Sequence, residues 1–288
     1  MSLLKNGQWV ADQELSHTDT IITQSTPMAN RYHLYISLAC PYAHRANLVV
    51  QFLGLPIDVS SVSPLKTDGW GFDKAYPDLL FGVQNLYEIY QKHQADFSGR
   101  ATVPVLWDKA GNRIASNQSS ELALHLASDW QDLANNPYCL VPSELKDDII
   151  ALNAWLNDHI TAKVYQVGLA KNQDDYERHL FELFGDLATL NNRLALQKYL
   201  FGDDITLSDF FLFPTLVRFE KVYATLFKCS LTPLSDFGHL YRYLIDLYQI
   251  DRIQNTVDVE YIVQNYFYSF ANVNPSRVVP KVAKLGWE

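Results

Sequence analysis

The chain has 288 residues and a formal net charge of −9 at pH 7, with 48% hydrophobic and 19% charged residues. This composition is typical of a soluble globular protein with one large or two ordinary domains. The negative charge, without any run of Lys or Arg, argues against a nucleic-acid partner. We expect no signal peptide and no membrane contact, since no apolar stretch approaches membrane-spanning length. Three widely separated cysteines form no disulfide framework, so we expect a cytoplasmic protein.

The first predicted elements form a β-α-β unit. Residues 32–38 alternate as a strand does, and an amphipathic helix begins at Pro41, where a missing N–H costs nothing. Gly54 ends that helix, and residues 57–63 form a second predicted strand.

The next segment interrupts this regularity and then completes a thioredoxin-like order. Residues 64–100 are an insertion, turn-rich at first and helical in pattern over 79–93. Residues 102–116 predict a β-hairpin around a Gly-Asn turn, and residues 117–130 predict a short helix. We therefore predict an α/β thioredoxin-like domain over residues 1–130.

The rest of the chain predicts an all-helical domain. A polar linker over residues 131–142 precedes it, and the domain spans residues 143–288. Helical periodicity covers residues 144–160, 176–196, 206–227 and 237–250. The capping-box pattern Thr-Leu-Ser-Asp at 206–209 marks the start of the third helix. The C-terminal segment is irregular, and we expect it to pack back through its apolar residues.

Cys40 lies where the first predicted strand meets the first helix. Unpaired N–H groups and the helix dipole favour negative charge there, and Arg45 and His44 follow closely, so this position lowers the pKa of a cysteine. Position 43 is Ala, so Cys40 has no second cysteine with which to close a disulfide. A mixed disulfide would need an external thiol, of which glutathione is the obvious one. The alternative is that Cys40 is a buried core cysteine.

Two further segments fit a ligand site beside such a cysteine. Pro104 after Val103 fits a cis-proline, which would turn the Val103 backbone toward a peptide-like ligand. An ordinary trans proline at a strand start is the alternative. Gln118 and Ser119 begin a helix and could hold a carboxylate, or the helix could simply be capped by Asn117 or Ser119. Neither Cys139 nor Cys229 has comparable surroundings, and both are predicted to be structural.

Several sequence blocks between residues 31 and 280 resemble the glutathione transferases and, among them, the glutathionyl-hydroquinone reductases of the Xi class. The blocks are CPYAHR (40–45), DGWGF (68–72), FSGRATVPVLWD (97–108), NQSSEL (117–122), KVYQVGLAKNQDDYE (163–177), LSDFFLFPTLVRFEKVYATLFKCS (207–230) and YFYSFANVNPSRVVP (266–280). The cysteine, in place of a catalytic Tyr or Ser, indicates the omega-like branch. The resemblance implies a thioredoxin-like domain followed by an all-helical domain, and a homodimer.

The resemblance also implies which residues act. The nucleophile of the family falls on Cys40, and its tyrosines fall on Tyr165, the proton donor, and on Tyr223 and Tyr266, which would hold the sulfur as a thiolate. Glutathione contacts fall on the following residues: Trp70, Arg100, Ala101, Thr102, Val103, Gln118 and Ser119. Glutathione would be the co-substrate, with no metal or organic cofactor.

This chain departs from the family pattern at positions that bear on the substrate. Tyr42 follows the Cys-Pro where Trp is usual, and Gln118 replaces Glu. Near the C-terminus, Asn265 and Phe270 stand where the family usually has His. Two alternatives remain open. One is an omega-like thioltransferase or dehydroascorbate reductase that uses the same cysteine without the tyrosines. The other is a non-catalytic binding module that keeps the transferase fold.

Overall fold

The chain divides into two units, which we describe from a computed structural model. Residues 3–10, 20–22, 25–66 and 69–286 are described. The first unit is Met1–Tyr138 and the second is Cys139–Glu288. The division falls within the segment 131–142 that the sequence predicts as a linker. No helix in the described ranges is long and apolar enough to cross a membrane.

The first unit is built on a mixed four-stranded sheet. The strands of the whole first unit are β1 (Leu3–Lys5), β2 (Gln8–Val10), β3 (Tyr32–Ile36), β4 (Asp58–Ser61), β5 (Gly99–Arg100), β6 (Val105–Asp108) and β7 (Arg113–Ser116). Its helices are α1 (Pro41–Leu53), α2 (Leu86–His93) and α3 (Ser119–Ser128). The main sheet has the order β4-β3-β6-β7. Strand β4 is parallel to β3, whereas β6 and β7 are antiparallel to their neighbours. This is the thioredoxin-like arrangement that the sequence predicts, and every residue of the central strand β3 is buried.

A second, small sheet was not anticipated from the sequence. Strands β1 and β2 form a hairpin, and β1 also pairs with β5. The hairpin turns at Asn6 and Gly7, which both have positive φ values, of 49° and 72°. A Cβ at Gly7 would lie 1.9 Å from the carbonyl oxygen of Ala95, so only glycine fits this turn. The Asn-Gly pair is the local signal that could have revealed the hairpin.

The insertion contains less helix than predicted. Helix α2 begins only at Leu86, whereas the sequence predicts helix from residue 79. The buried carboxylate of Asp78 accepts N–H bonds from Leu80, Phe81 and Val83, and this competes with helix formation. The side chains of Asn85 and Glu88 then form a capping box that starts the helix.

The second unit is helical, as predicted. Its helices are α4 (Lys146–Leu156), α5 (Ala162–Gly168), α6 (Gln173–Leu194), α7 (Leu207–Arg218), α8 (Gly238–Tyr248), α9 (Asp251–Gln254) and α10 (Val259–Ser269). Every residue of α7 is buried, and its capping box between Thr206 and Asp209 forms as the sequence predicts. Buried Asp209 also accepts bonds from the N–H of Leu200 and the hydroxyl of Tyr243.

Two predicted helices end earlier than their periodicity suggests. Helices α4 and α7 each continue into a π-helical turn, at Asn157–Thr161 and Phe219–Tyr223. A π turn adds a residue and so rotates the helix face that follows. The short α5 after the first turn and the C-terminal α10 were not identified from periodicity.

The C-terminal segment contacts the second unit differently from the prediction. Residues 271–286 contain neither helix nor strand, as expected. However, Val278, Val279 and Val282 are exposed rather than packed. The ammonium of Lys221 instead donates a hydrogen bond to the carbonyl oxygen of Ala283 in this segment. The prediction of apolar packing at these valines is therefore wrong.

Candidate active site

Cys40 is the N-cap residue of α1. Its φ and ψ angles of −78° and 116° are extended, and Pro41 occupies the first helical position. The Cys40 carbonyl oxygen accepts the N–H of His44 at 3.0 Å, the first bond of the helix. The side chain is half-buried, which argues against the alternative of a sealed core cysteine. The thiol is therefore at a helix start, where unpaired N–H groups and the helix dipole favour a thiolate.

A hydrogen bond connects the start of α3 to the start of α1. The hydroxyl of Ser119 donates to the carbonyl oxygen of Tyr42 at 2.6 Å, only two residues beyond Cys40. The N-cap residue is Gln118, without a side-chain capping bond. Asn117 uses its side-chain oxygen to accept the N–H of Ile21. The alternative that Asn117 or Ser119 caps α3 is not what the structure shows, and the start of a helix favours a bound carboxylate.

A further predicted segment runs along β5 toward β6. The Val103–Pro104 bond is cis, as the sequence predicts. Ala101 and Val103 are buried, whereas Arg100 and Thr102 are half-buried. The main-chain N–H and carbonyl of Thr102 both bond to the Tyr90 hydroxyl, at 3.2 and 2.8 Å. A ligand contact with the main chain of Thr102 would be made in addition to these bonds.

Trp70 lies in the insertion and has a cationic neighbour that sequence reasoning missed. Its carbonyl oxygen accepts the N–H of Leu86, the first residue of α2. The ammonium of Lys66 lies 4.4 Å from the centroid of its ring. Burial lowers the pKa of Lys66 to about 8, although the nearby Cys40 charge raises it. The sequence offered no signal for Lys66 beyond a lysine four residues before the tryptophan.

An open groove of about 610 Å³ lies in the same insertion. Leu65 and Gly71, which flank the Lys66–Trp70 segment, line it together with Phe72 and Asn85.

The second unit brings the three predicted tyrosines together. Tyr165 lies on α5, Tyr223 ends the second π turn, and Tyr266 lies on α10. The hydroxyl oxygen of Tyr266 is 2.5 Å from that of Tyr165 and 2.9 Å from that of Tyr223. We call these three residues the tyrosine chain. Tyr266 bonds to both of the others, and a hydrogen bond with Tyr165 also acts on the pKa of Tyr223.

Two phenylalanines complete an aromatic cluster around the tyrosine chain. Phe270 stacks on the Tyr266 ring, with centroids 5.4 Å apart and ring planes 10° from parallel. The ring of Phe227 lies 5.3 Å from that of Phe270. A Cβ on Gly168 would meet the Phe227 ring at 2.2 Å, so glycine is needed for this approach. Phe270, one of the departures from the family pattern, thus contributes an apolar ring to the cluster.

The electrostatics around Tyr223 favour a neutral phenol. Tyr223 is completely buried, and burial raises its pKa well above the ordinary value of 10. It therefore keeps its proton and serves as a hydrogen-bond donor.

The other cysteines have no comparable surroundings. Cys229 is buried, and burial raises the pKa of its thiol. Cys139 is exposed near the division between the units. In the described part of the chain, no group of three or more His, Cys, Asp or Glu residues could hold a metal ion.

Comparison with known proteins identifies relatives over most of the chain. The glutathione S-transferase N-terminal domain model matches residues 39–129, and the C-terminal domain model matches residues 173–245. Glutathionyl-hydroquinone reductase YqjG of Escherichia coli is 39% identical, covering 87% of this chain and 78% of the relative. Glutathionyl-hydroquinone reductase PcpF of Sphingobium chlorophenolicum is 36% identical, covering 87% of this chain and 82% of the relative.

Solved structures agree with these relatives. A Xi-class glutathione transferase from Natrialba magadii has a TM-score of 0.96 at 34% identity, covering 100% of this chain and 95% of the other. The glutathione-bound structure of Escherichia coli YqjG has a TM-score of 0.91 at 34% identity, covering 99% and 96%.

Proposed function

The chain belongs to the glutathione S-transferase family, in its Xi-class branch of glutathionyl-hydroquinone reductases, and we propose that it reduces glutathionyl-hydroquinones to hydroquinones with glutathione as the co-substrate. The relatives named as glutathionyl-hydroquinone reductases and the glutathione-bound YqjG structure support this proposal.

In the first step, the Cys40 thiolate attacks the sulfur of the glutathionyl group. The bond between that sulfur and the aromatic carbon breaks, and a Cys40–glutathione disulfide forms. The bonding electron pair goes to the carbon, which takes a proton from Tyr165. The arene is thus reduced to hydroquinone while the two sulfurs are oxidised to a disulfide. A carbanion is a poorer leaving group than a thiolate, so general-acid help matters most in this step.

In the second step, the thiolate of a second glutathione attacks the glutathionyl sulfur of the mixed disulfide. Oxidised glutathione leaves, and the Cys40 thiolate is regenerated. Because Ala43 is in the place of a second cysteine, the protein cannot resolve the disulfide itself. The two half-reactions predict ping-pong kinetics.

The observation that carries this proposal is the tyrosine chain. A thioltransferase exchanges one sulfur for another and needs no proton donor for carbon. The hydrogen bonds between the hydroxyl of Tyr266 and those of Tyr165 and Tyr223 therefore favour a glutathionyl-hydroquinone reductase. They argue against an omega-like thioltransferase or dehydroascorbate reductase. They also favour it over a non-catalytic binding module, which would not need the chain.

Glutathione binding is assigned to the first unit. The tripeptide would lie against Trp70, the Arg100–Val103 segment and the start of α3 at Gln118 and Ser119. A homodimer and a cytoplasmic location stay predictions, and sedimentation of the purified protein tests the first.

The direct test supplies glutathionyl-hydroquinone and glutathione to the purified protein and measures free hydroquinone. We expect release by the wild type and by Cys139→Ala, the matched control at an exposed thiol, and none by Cys40→Ala. Tyr165→Phe should lose hydroquinone release, by roughly 10²- to 10⁴-fold, while it retains disulfide exchange on a glutathionylated thiol. Release by Cys40→Ala at the wild-type rate would refute the mechanism, and equal loss of both activities in Tyr165→Phe would refute the donor role.

A further inference from the structure

Lys221 is a buried cation of the second unit that the proposed mechanism does not use. Lysine side chains usually extend their ammonium group into water. Lys221 is instead only 4% exposed, lies in the π turn Phe219–Tyr223, and donates a hydrogen bond to the carbonyl oxygen of Ala283. This bond connects the turn that ends at Tyr223 to the C-terminal segment, 62 residues further along the chain.

The C-terminal segment also binds the end of α10. The side-chain amide of Asn274 donates to the carbonyl oxygens of Phe267, at 2.7 Å, and of Val278, at 3.1 Å. The main-chain N–H of Asn274 donates to the carbonyl oxygen of Phe270 at 2.8 Å. The last carbonyl groups of a helix have no partner within it, so these bonds satisfy acceptors at the end of α10. Phe267 follows Tyr266 directly, so the segment contacts the main chain beside that tyrosine.

These two contacts involve the elements that carry two members of the tyrosine chain. Tyr223 is the last residue of the π turn, and Tyr266 lies on α10, which packs against that turn. Their hydroxyl oxygens are 2.9 Å apart. A hydrogen bond weakens steeply as its angle departs from the optimum, so this bond depends on how the turn and the helix are placed. The C-terminal segment contacts both elements and restrains them together.

We propose that residues 274–283, which we call the C-terminal strap, set the position of the Tyr266 hydroxyl, with Lys221 and Asn274 as the positioning residues. The inference rests on the proposed function, since it concerns the hydroxyls that support proton transfer from Tyr165. Lys221 places the π turn, and Asn274 places the end of α10. Loss of either contact leaves all three phenol hydroxyls in the protein but changes their alignment.

The test is a mutant cycle on single-turnover release of hydroquinone, with exchange on a glutathionylated thiol measured in parallel. We expect Lys221→Met to lower release by roughly 5- to 30-fold, because small displacements of groups that act in a reaction cost up to about 100-fold. Exchange should be retained, since a thiolate leaving group needs no proton. In a Tyr266→Phe background, Lys221→Met should change release by less than about twofold, because the hydroxyl that it positions is absent. The matched control, Lys281→Met, removes an exposed ammonium from the strap and should leave release unchanged.

A second variant removes the acceptor instead of the donor. Ending the chain after Val282 deletes Ala283 and leaves the buried lysine unaltered. This truncation should reproduce the loss of release, and Lys221→Met added to it should cause no further loss. It replaces Lys221→Met in the cycle with Tyr266→Phe if the circular dichroism spectrum shows that Lys221→Met does not fold.

Two results overturn the proposal. One is an effect of Lys221→Met above about twofold in the Tyr266→Phe background, since a merely structural loss does not depend on that hydroxyl. The other is equal loss of release and exchange in Lys221→Met, which indicates general destabilisation. Wild-type release by Lys221→Met refutes only the strap, whereas release by Cys40→Ala at the wild-type rate refutes the proposed function.

Discussion

Replacing Tyr266 with Phe removes a hydroxyl that both other members of the tyrosine chain contact. Buried Tyr223 stays neutral and donates, so we infer that the bonds run from Tyr223 to Tyr266 and from Tyr266 to Tyr165. In the proposed mechanism, the Tyr165 hydrogen goes to the substrate carbon. When Tyr165 gives up that proton, its phenolate is stabilised by the Tyr266 hydroxyl at 2.5 Å.

The size of the effect follows from the kind of bond that is lost. A hydrogen bond to a charged group contributes about 1.5–3 kcal/mol, which corresponds to a rate loss of roughly 10- to 150-fold in Tyr266→Phe. Tyr223→Phe removes hydrogen bonds between neutral phenols, each of about 0.5–1.5 kcal/mol, which corresponds to a loss of roughly 2- to 12-fold for one such bond. We therefore expect hydroquinone release to fall most in Tyr165→Phe, less in Tyr266→Phe and least in Tyr223→Phe.

The assay is single-turnover release of hydroquinone from glutathionyl-hydroquinone, with exchange on a glutathionylated thiol as the parallel control. A thiolate leaving group needs no proton, so the variants should retain exchange. Equal loss of release in Tyr223→Phe and Tyr266→Phe would refute the direction of the chain. Equal loss of hydroquinone release and disulfide exchange would refute the proposed direction of the hydrogen bonds toward Tyr165. It would support the other role, in which Tyr223 and Tyr266 hold the Cys40 sulfur.

Three further predictions concern other parts of the molecule. Asp209→Ala should lower the free energy of unfolding by about 2–4 kcal/mol in urea titrations, because it removes a helix cap and leaves the buried Tyr243 hydroxyl without its acceptor; a change below about 0.5 kcal/mol would contradict this. Phe270→His introduces an ionisable ring stacked on Tyr266, so the pH profile of hydroquinone release should gain an inflection near neutral pH that the wild type lacks. Cys229 should resist alkylation until the protein unfolds, since its thiol is buried and burial raises its pKa; labelling of the native protein at Cys229 would argue otherwise.

Local sequence patterns predicted those parts of the first unit whose structure depends mainly on neighbouring residues. Strand alternation, Pro41 at a helix start and Gly54 at its end specify β3 and α1, and so the position of Cys40 as N-cap. They failed in the insertion, where the Asp78 side chain takes backbone N–H groups from a segment with helical periodicity. The hairpin at Asn6 carried a clear Asn-Gly signal that our interpretation did not use.

The amino-acid sequence by itself determined the order of elements, the helix start that holds Cys40 and, through the family blocks, which tyrosines to consider. Only the tertiary structure decided how side chains far apart in the chain meet. Tyr165 and Tyr266 are 101 residues apart, and they lie on α5, which follows the first π turn, and on α10, two helices that periodicity does not reveal. Lys66 acquires its altered pKa from burial and from Cys40 and Arg100, which the fold alone brings near it. Steric constraints and hydrogen bonds between neighbouring residues specify the helices and strands. Tertiary packing specifies which charged groups and hydroxyls lie together in a site of low dielectric constant.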